Sequence, residues 1–88
     1  MLTPNYSAQF RRDYSKAELR GKDISKLENV ITMLMLEEPL PPSYKDHQLK
    51  GKWKDYRELH IESDWLLTYK IIGNTIIFAR TGSHSDLF

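Results

Sequence analysis

The 88-residue chain carries a net charge of +1, is 40% hydrophobic and contains no cysteine. This length predicts a single domain, residues 1–88, with a thin core, and the near-neutral charge argues against a wholly basic nucleic-acid binder. Without cysteine, disulfides, thiolate zinc sites and thiol redox catalysis are excluded. The longest apolar runs are too short to cross a membrane and the N-terminus lacks the pattern of a secretory signal, so we expect a cytoplasmic protein with no membrane partner.

An edge strand and an amphipathic helix are predicted first. Residues 1–5 can form the strand, and Pro4 would keep it at a sheet edge because proline cannot donate to a ladder. The helix begins near Ser7 and ends at Gly21, which can adopt the left-handed conformation of a helix cap. Side-chain spacing gives it two faces, which are apolar Phe10, Tyr14 and Ala17 and polar Arg11, Arg12, Asp13 and Lys16.

A second helix is predicted by apolar residues that recur at the spacing of one helix face, namely Leu27, Val30, Ile31 and Leu34. Asp23 or Ser25 can cap its start. The proline-rich segment that follows cannot continue a helix, so we expect this one to end near Glu38. The two helices together predict an antiparallel helical hairpin.

After Tyr44 the apolar pattern changes to the period of two that is typical of strands. Gly73-Asn74 is a two-residue link that suits a tight hairpin turn. The strands are predicted from alternation and from β-branched and aromatic content in residues 56–61, 65–72 and 75–80. The chain therefore predicts an α+β fold in which the two-helix hairpin packs on a small, mainly antiparallel, twisted sheet.

Two of the three histidines, His47 and His60, flank a segment with a local excess of positive charge. Strand alternation places Glu58 on the same face as His60, about 7 Å away along the strand, where a carboxylate can hold an imidazole in orientation. RNA cleavage needs a base, an acid and cations around the phosphoryl group, and histidine can be acid or base near neutral pH. The cations of the segment are Lys45, Lys50, Lys52, Lys54 and Arg57.

Other interpretations of the same residues stay open. The basic segment can be a solvated loop whose histidines have no chemical role. Three imidazoles and Asp64 can also bind zinc, although the histidine spacings match no local metal motif. Residue types alone do not decide among these interpretations.

Two stretches, YKDHQLKGKWKDYRELHIESDWLLTYK and RTGSHSDLF, closely resemble the YafQ branch of the RelE-like toxins of bacterial toxin–antitoxin pairs. The resemblance spans residues 44–88, about half of the chain. It implies the element order β-α-α-β-β-β and an endoribonuclease that cuts messenger RNA, typically in the ribosomal A site, without a metal or other cofactor. It also implies a cognate antitoxin that covers or distorts the active site, with operator DNA bound only through that antitoxin.

The resemblance also assigns catalytic positions. Glu58 stands where close relatives often have aspartate, so the charge is kept while its reach differs. The remaining positions that match the family's active residues are His47, His60, Asp64, Arg80, His84 and the terminal aromatic Phe88.

Roles follow as a hypothesis. Asp64 or His60 takes the 2'-hydroxyl proton, and His84 protonates the leaving oxygen, although acid and base can be exchanged. His47 and Arg80 stabilise the phosphorane, and the five cations named above attract the RNA backbone. Two alternatives remain: a catalytically weak antitoxin-binding or co-repressor module, and a metal-dependent hydrolase.

Overall fold

The computed structural model describes residues 1–88 as a five-stranded sheet with two helices packed on one face. The sheet order is β1-β5-β4-β3-β2, and only β1 runs parallel to its neighbour. No helix is long and apolar enough to span a membrane. The α+β prediction is confirmed, with the elements β1 (Thr3–Tyr6), α1 (Ala8–Leu19), α2 (Ile24–Met35), β2 (His47–Gln48), β3 (Arg57–Glu62), β4 (Trp65–Ile72), β5 (Thr75–Gly82) and α3 (His84–Leu87).

Local capping explains where the two long helices begin and end. The Ser7 side chain accepts the Phe10 backbone N–H at the start of α1, and Gly21 follows its end with φ +77°. In α2 the Asp23 carboxylate accepts the Ser25 N–H, so Asp23 is the cap. The helix ends at Met35, earlier than predicted, because Glu37 adopts the left-handed conformation and terminates the turn before the prolines.

The core lies between the helices and one sheet face. Burial of an aliphatic or aromatic side chain there contributes about 1.5–3 kcal/mol to the stability of the fold. The helices supply Phe10, Ala17, Leu27, Val30, Ile31 and Leu34, and the sheet supplies Leu59, Ile61, Trp65, Leu67, Tyr69, Ile76 and Phe78.

One prediction about α1 is wrong, because Asp13 does not lie on its polar face. Its exposed fraction is only 7%. Positions 10, 13 and 17 are separated by three and four residues, so Asp13 shares the buried stripe of Phe10 and Ala17. A carboxylate in this place requires polar partners, which β5 supplies.

Two short elements extend the predicted order to β-α-α-β-β-β-β-α. β2 pairs His47 with Glu58 at the outer edge of the sheet. His84 opens the second addition, α3, where Ser83 and Asp86 form a capping box. Both additions bring histidines to the sheet face that lies opposite α1 and α2.

Candidate active site

A row of polar side chains crosses four strands of the sheet. His47 pairs with Glu58, Glu58 with Thr68, and Thr68 with Arg80. Directly paired residues in antiparallel strands point to the same face, so all four lie opposite the helical core. The register thus brings together residues that are 33 positions apart in the chain.

The three histidines form a neighbouring group, with His60 in the middle. Its ring centroid lies 6.3 Å from that of His47 and 5.8 Å from that of His84. His60 is placed by β3, where it pairs with Leu66, which in turn pairs with Gly82 at the end of β5. The structure therefore brings the three histidine rings together.

Each of the three rings turns its Nδ1 atom toward an oxygen of the protein. Carbonyl and carboxylate oxygens only accept, so Nδ1 must carry a hydrogen in all three rings. This leaves Nε2 as the atom that can exchange a proton with a substrate. The acceptors are the Lys45 carbonyl at 2.7 Å from His47, the Ser63 carbonyl at 3.3 Å from His60, and Asp64 Oδ1 at 2.7 Å from His84.

Asp64 orients His84 from the turn between β3 and β4. Its Oδ1 accepts both the backbone N–H of His84, at 2.9 Å, and the ring Nδ1–H. These hydrogen bonds hold the pKa of Asp64 below its usual value although the side chain is 66% exposed. A carboxylate with a lowered pKa is a poor proton acceptor near neutral pH, so the geometry fits Asp64 better as an orienting group than as a base.

Glu58 is a buried carboxylate next to His47. The residue is 4% exposed, its Oε1 is 3.9 Å from His47 Nε2, and its Oε2 has no hydrogen-bond partner. At 3.9 Å the contact with His47 is electrostatic rather than a hydrogen bond. Glu58 therefore places a buried acceptor oxygen beside His47.

Asp13 holds Arg80, and sequence reasoning missed this contact. Arg80 donates to Asp13 through Nε at 2.8 Å and Nη2 at 3.2 Å, and the Thr81 N–H donates to the same carboxylate at 3.2 Å. Nη1 of Arg80 is left out of the pair and can approach a phosphate. The available signal was the helix stripe formed by Phe10, Asp13 and Ala17.

The predicted RNA-binding cations differ in availability. Arg57 is half-buried and donates to Asp46 at 3.2–3.3 Å, while Tyr69 also donates to Asp46, at 2.8 Å. Arg57 is thus committed to an internal ion pair. The exposed cations are Lys45, which precedes β2, and Lys50, Lys52 and Lys54 in the loop between β2 and β3.

Two exposed aromatic residues border a narrow crevice beside Arg80. Phe88 is 67% exposed and Trp53 is 42% exposed, and both line the crevice with Thr68 and Leu87. The loop between β2 and β3 carries Trp53 to the surface. Exposed aromatic faces next to cations can stack on unpaired bases.

Metal binding needs a tighter arrangement than this one. No group of three or more histidine or carboxylate side chains is positioned to hold a metal ion. Zinc binds imidazole nitrogens at about 2.0–2.1 Å, so its ligands must converge on one point. All three ring Nδ1 atoms are engaged by oxygens of the protein, so a metal ion could be reached only through the Nε2 atoms.

Comparison with known proteins covers both halves of the chain. The family model described as "Bacterial toxin of type II toxin-antitoxin system, YafQ" matches residues 2–88. The mRNA interferase toxin YafQ of Escherichia coli K12 is 46% identical over 84 residues, which cover 94% of this chain and 91% of that protein.

Solved structures show the same fold over the full length. The YafQ chain of the E. coli DinJ-YafQ complex superposes with a TM-score of 0.93 at 44% identity, covering 100% of this chain and 99% of the other. A copper-bound mutant toxin from Helicobacter pylori gives a TM-score of 0.95 at 46% identity, with both chains covered completely. The chain therefore belongs to the YafQ family of bacterial toxins of type II toxin–antitoxin systems.

Proposed function

We propose that this YafQ-family toxin is an endoribonuclease that cleaves messenger RNA by acid–base catalysis and thereby inhibits translation. The observation that carries the proposal is the group of three histidines, each with Nδ1 held by the protein and Nε2 free, on the sheet face that also carries Arg80. Acid, base and phosphate-binding cation are the groups that RNA cleavage requires. The E. coli relative named an mRNA interferase supports the same substrate.

His60 is proposed as the base. Its central position lets Nε2 take the proton of the 2'-hydroxyl while the 2'-oxygen attacks phosphorus. Asp64, the other candidate, is less suited because its pKa is lowered by the two hydrogen bonds from His84. Attack by the 2'-oxygen forms a cyclic phosphate as the bond from phosphorus to the 5'-oxygen breaks.

His84 is proposed as the acid. Asp64 fixes its Nδ1, so that Nε2–H of the doubly protonated ring can donate to the departing 5'-oxygen. The leaving strand then carries a 5'-hydroxyl. Both proton transfers use Nε2 atoms of adjacent rings, whose centroids are 5.8 Å apart.

Arg80 and His47 are proposed to stabilise the phosphorane from the sheet. Arg80 is preorganised by Asp13, so its free Nη1 needs little rearrangement to meet the developing charge. His47 faces the same space from β2, with Glu58 behind it. The lysines of the loop between β2 and β3 attract the RNA backbone, and Phe88 and Trp53 stack on bases.

A cognate antitoxin is the proposed protein partner, since the E. coli relative has been solved in complex with DinJ. We further propose that the toxin acts in the cytoplasm on mRNA at the ribosome, and that operator DNA is reached only through the antitoxin. The proposed reaction uses no metal. The copper-bound relative from H. pylori makes metal dependence the alternative to test.

The direct test combines RNA cleavage with single substitutions. His60→Ala and His84→Ala should each lower the cleavage rate by at least about 100-fold, because general acid–base catalysis contributes about 10²–10⁴-fold. Ser85→Ala is the matched control, since Ser85 lies in α3 beside His84 and its hydroxyl contacts only Ser83. Near-normal activity in both histidine variants would refute the assignment.

Two further measurements separate the alternatives. Cleavage that persists in excess chelator and leaves cyclic phosphate ends supports the metal-free reaction, whereas loss that zinc or copper restores supports the metal-dependent one. Induction in a bacterium, followed by sequencing of RNA ends, separates a toxin from a binding module. Growth arrest relieved by the neighbouring gene product identifies the toxin, and unaffected growth identifies the module.

A further inference from the structure

The last helix, α3, carries the proposed acid but is only four residues long. Helices shorter than about 12 residues are marginal in water without tertiary support. Its position therefore depends on contacts outside the helix. Leu87 is half-buried at the crevice that Phe88 borders, and His84 contacts Asp64 at the exposed side.

The strongest polar anchor of α3 is Asp86. The Arg20 guanidinium, at the end of α1, donates to both Asp86 oxygens, at 2.7 and 3.3 Å, and Lys16 Nζ lies 3.4 Å away. Asp86 Oδ2 also accepts the Ser83 N–H at 3.0 Å. One carboxylate thus joins α3 to α1 and caps the helix that bears His84.

The absence of a side chain at Gly82 leaves space for the Asp86 carboxylate. A Cβ atom on Gly82 would lie 3.0 Å from both Cβ and Oδ2 of Asp86, closer than side chains normally approach. Gly82 has φ +159°, so the observation concerns space rather than backbone strain. A side chain at position 82 would push Asp86 away from Arg20.

We propose that Asp86, Arg20 and Lys16 form a clamp that positions α3, so that His84 stays against Asp64 and Phe88 stays at the crevice. This inference rests on the proposed function, because it assigns the clamp a role in placing the acid. Neither Arg20 nor Lys16 contacts the histidine group. The three residues of the clamp are therefore positioning residues and not catalytic ones.

The clamp residues are charged at neutral pH and remain accessible to solvent. The Arg20 guanidinium and the Ser83 N–H hold the pKa of Asp86 well below its usual value, so the carboxylate is ionised at neutral pH. Arg20 and Lys16 are about half exposed, and with Asp86 they line a cleft of about 260 Å³. Salt should therefore weaken the clamp by screening.

Asp64 supplies a local reporter of the position of α3. Its lowered pKa has the backbone N–H and ring of His84 as its main causes, so withdrawal of α3 should raise it. Carboxyl titration by NMR measures this value without any RNA. The reporter responds to docking of α3 and not to a general loss of stability.

The test compares Arg20→Gln and Asp86→Asn with two controls. Arg20→Lys keeps the positive charge, and Arg12→Gln removes the same charge from α1 at a residue whose guanidinium donates only to Gln9. Arg20→Gln and Asp86→Asn should each raise the pKa of Asp64 and slow single-turnover cleavage about 10-fold, because misplacement of a catalytic group by about 1 Å can cost 10²-fold. Both controls should stay within about twofold of the unaltered protein, because Arg20→Lys keeps a cation that can pair with Asp86 and Arg12 makes no ion pair.

Several outcomes would overturn the clamp. An unchanged pKa of Asp64 in both variants would show that α3 is held by other contacts. An equal loss of activity in Arg12→Gln would show a general effect of charge. If the unaltered protein cleaves no RNA, the proposed function fails, while the Asp64 titration still decides whether Asp86 and Arg20 position α3.

Discussion

The candidate site has two walls that are built differently. The sheet wall consists of His47, Glu58 and Arg80. Glu58 is buried and pairs with His47 across two strands, and Arg80 is paired with β4 and held by the buried Asp13. The terminal wall consists of His84 and Phe88 on and after a four-residue helix. Its contacts are exposed ion pairs and one carboxylate on a turn. The proposed phosphate-binding groups are thus rigidly supported, whereas the proposed acid depends on weaker, solvent-accessible contacts.

This difference has a dynamic consequence. Local unfolding costs least where few apolar contacts are buried and the chain ends, and most in the central strands. We therefore expect α3 to leave the site in excursions that keep the sheet intact. Breaking each wall separately should give different signatures, with a large loss of stability for the sheet wall and a loss of activity with little loss of stability for the terminal wall.

The largest effect is expected when Asp13 is changed. Asp13→Ala removes two charge-assisted hydrogen bonds from Arg80, one from the Thr81 N–H and one from the Gln9 side chain. The free energy of unfolding should fall by about 2 kcal/mol, because a hydrogen bond to a charged group contributes about 1.5–3 kcal/mol. Cleavage should fall about 100-fold, since Arg80 loses its fixed position. Chemical denaturation and single-turnover cleavage measure the two quantities.

The matched control for this change is Glu18→Ala. Glu18 is also on α1, but it is exposed and makes no side-chain hydrogen bond or ion pair. Its removal should change the free energy of unfolding by less than about 0.5 kcal/mol. If Asp13→Ala were as mild as Glu18→Ala, the sheet wall would not depend on the buried pair.

A smaller and purely functional effect is expected at Phe88. Phe88→Ala should weaken RNA binding about 10-fold, because stacking of a base on an aromatic ring contributes about 1–3 kcal/mol. Phe88 is 67% exposed, so the melting temperature should not change. Leu19→Ala is a suitable control for the loss of an exposed apolar side chain, since Leu19 is 90% exposed. A lowered melting temperature with unchanged RNA affinity would show that Phe88 supports α3 rather than the substrate.

The terminal wall was also the part that sequence reasoning described least well. The long helices and the three strands from Arg57 to Gly82 were predicted, because many apolar residues repeat the same period in each. α3 has four residues, too few for a period, and its support comes from Arg20, 66 positions away from Asp86. Such a contact has no local sequence signal.

For the sheet wall, prediction from the sequence was limited for a different reason. Its residues were assigned by resemblance to a family, and their alignment in one row follows from strand register, which alternation alone does not give. Asp13 was misplaced because its charge was given more weight than its position in the helix stripe. Only the approach of α1 to the free edge of β5 explains why a carboxylate is buried there.

The smallest effect expected is a response of the terminal wall to acid. Both of its carboxylates, Asp64 and Asp86, have pKa values lowered by their partners in the folded protein. A lowered pKa stabilises the fold above the unfolded value, 3.8, and this contribution is lost as pH falls through the folded value. The melting temperature should therefore begin to fall below about pH 4, and Asp86→Asn should make that fall shallower.

The control is Glu38→Gln, at a carboxylate that makes no ion pair, and it should leave the pH dependence of the melting temperature unchanged. Melting curves between about pH 2 and 7 give these slopes, and identical slopes for Asp86→Asn and the unaltered protein would show that the terminal wall contributes nothing to acid sensitivity.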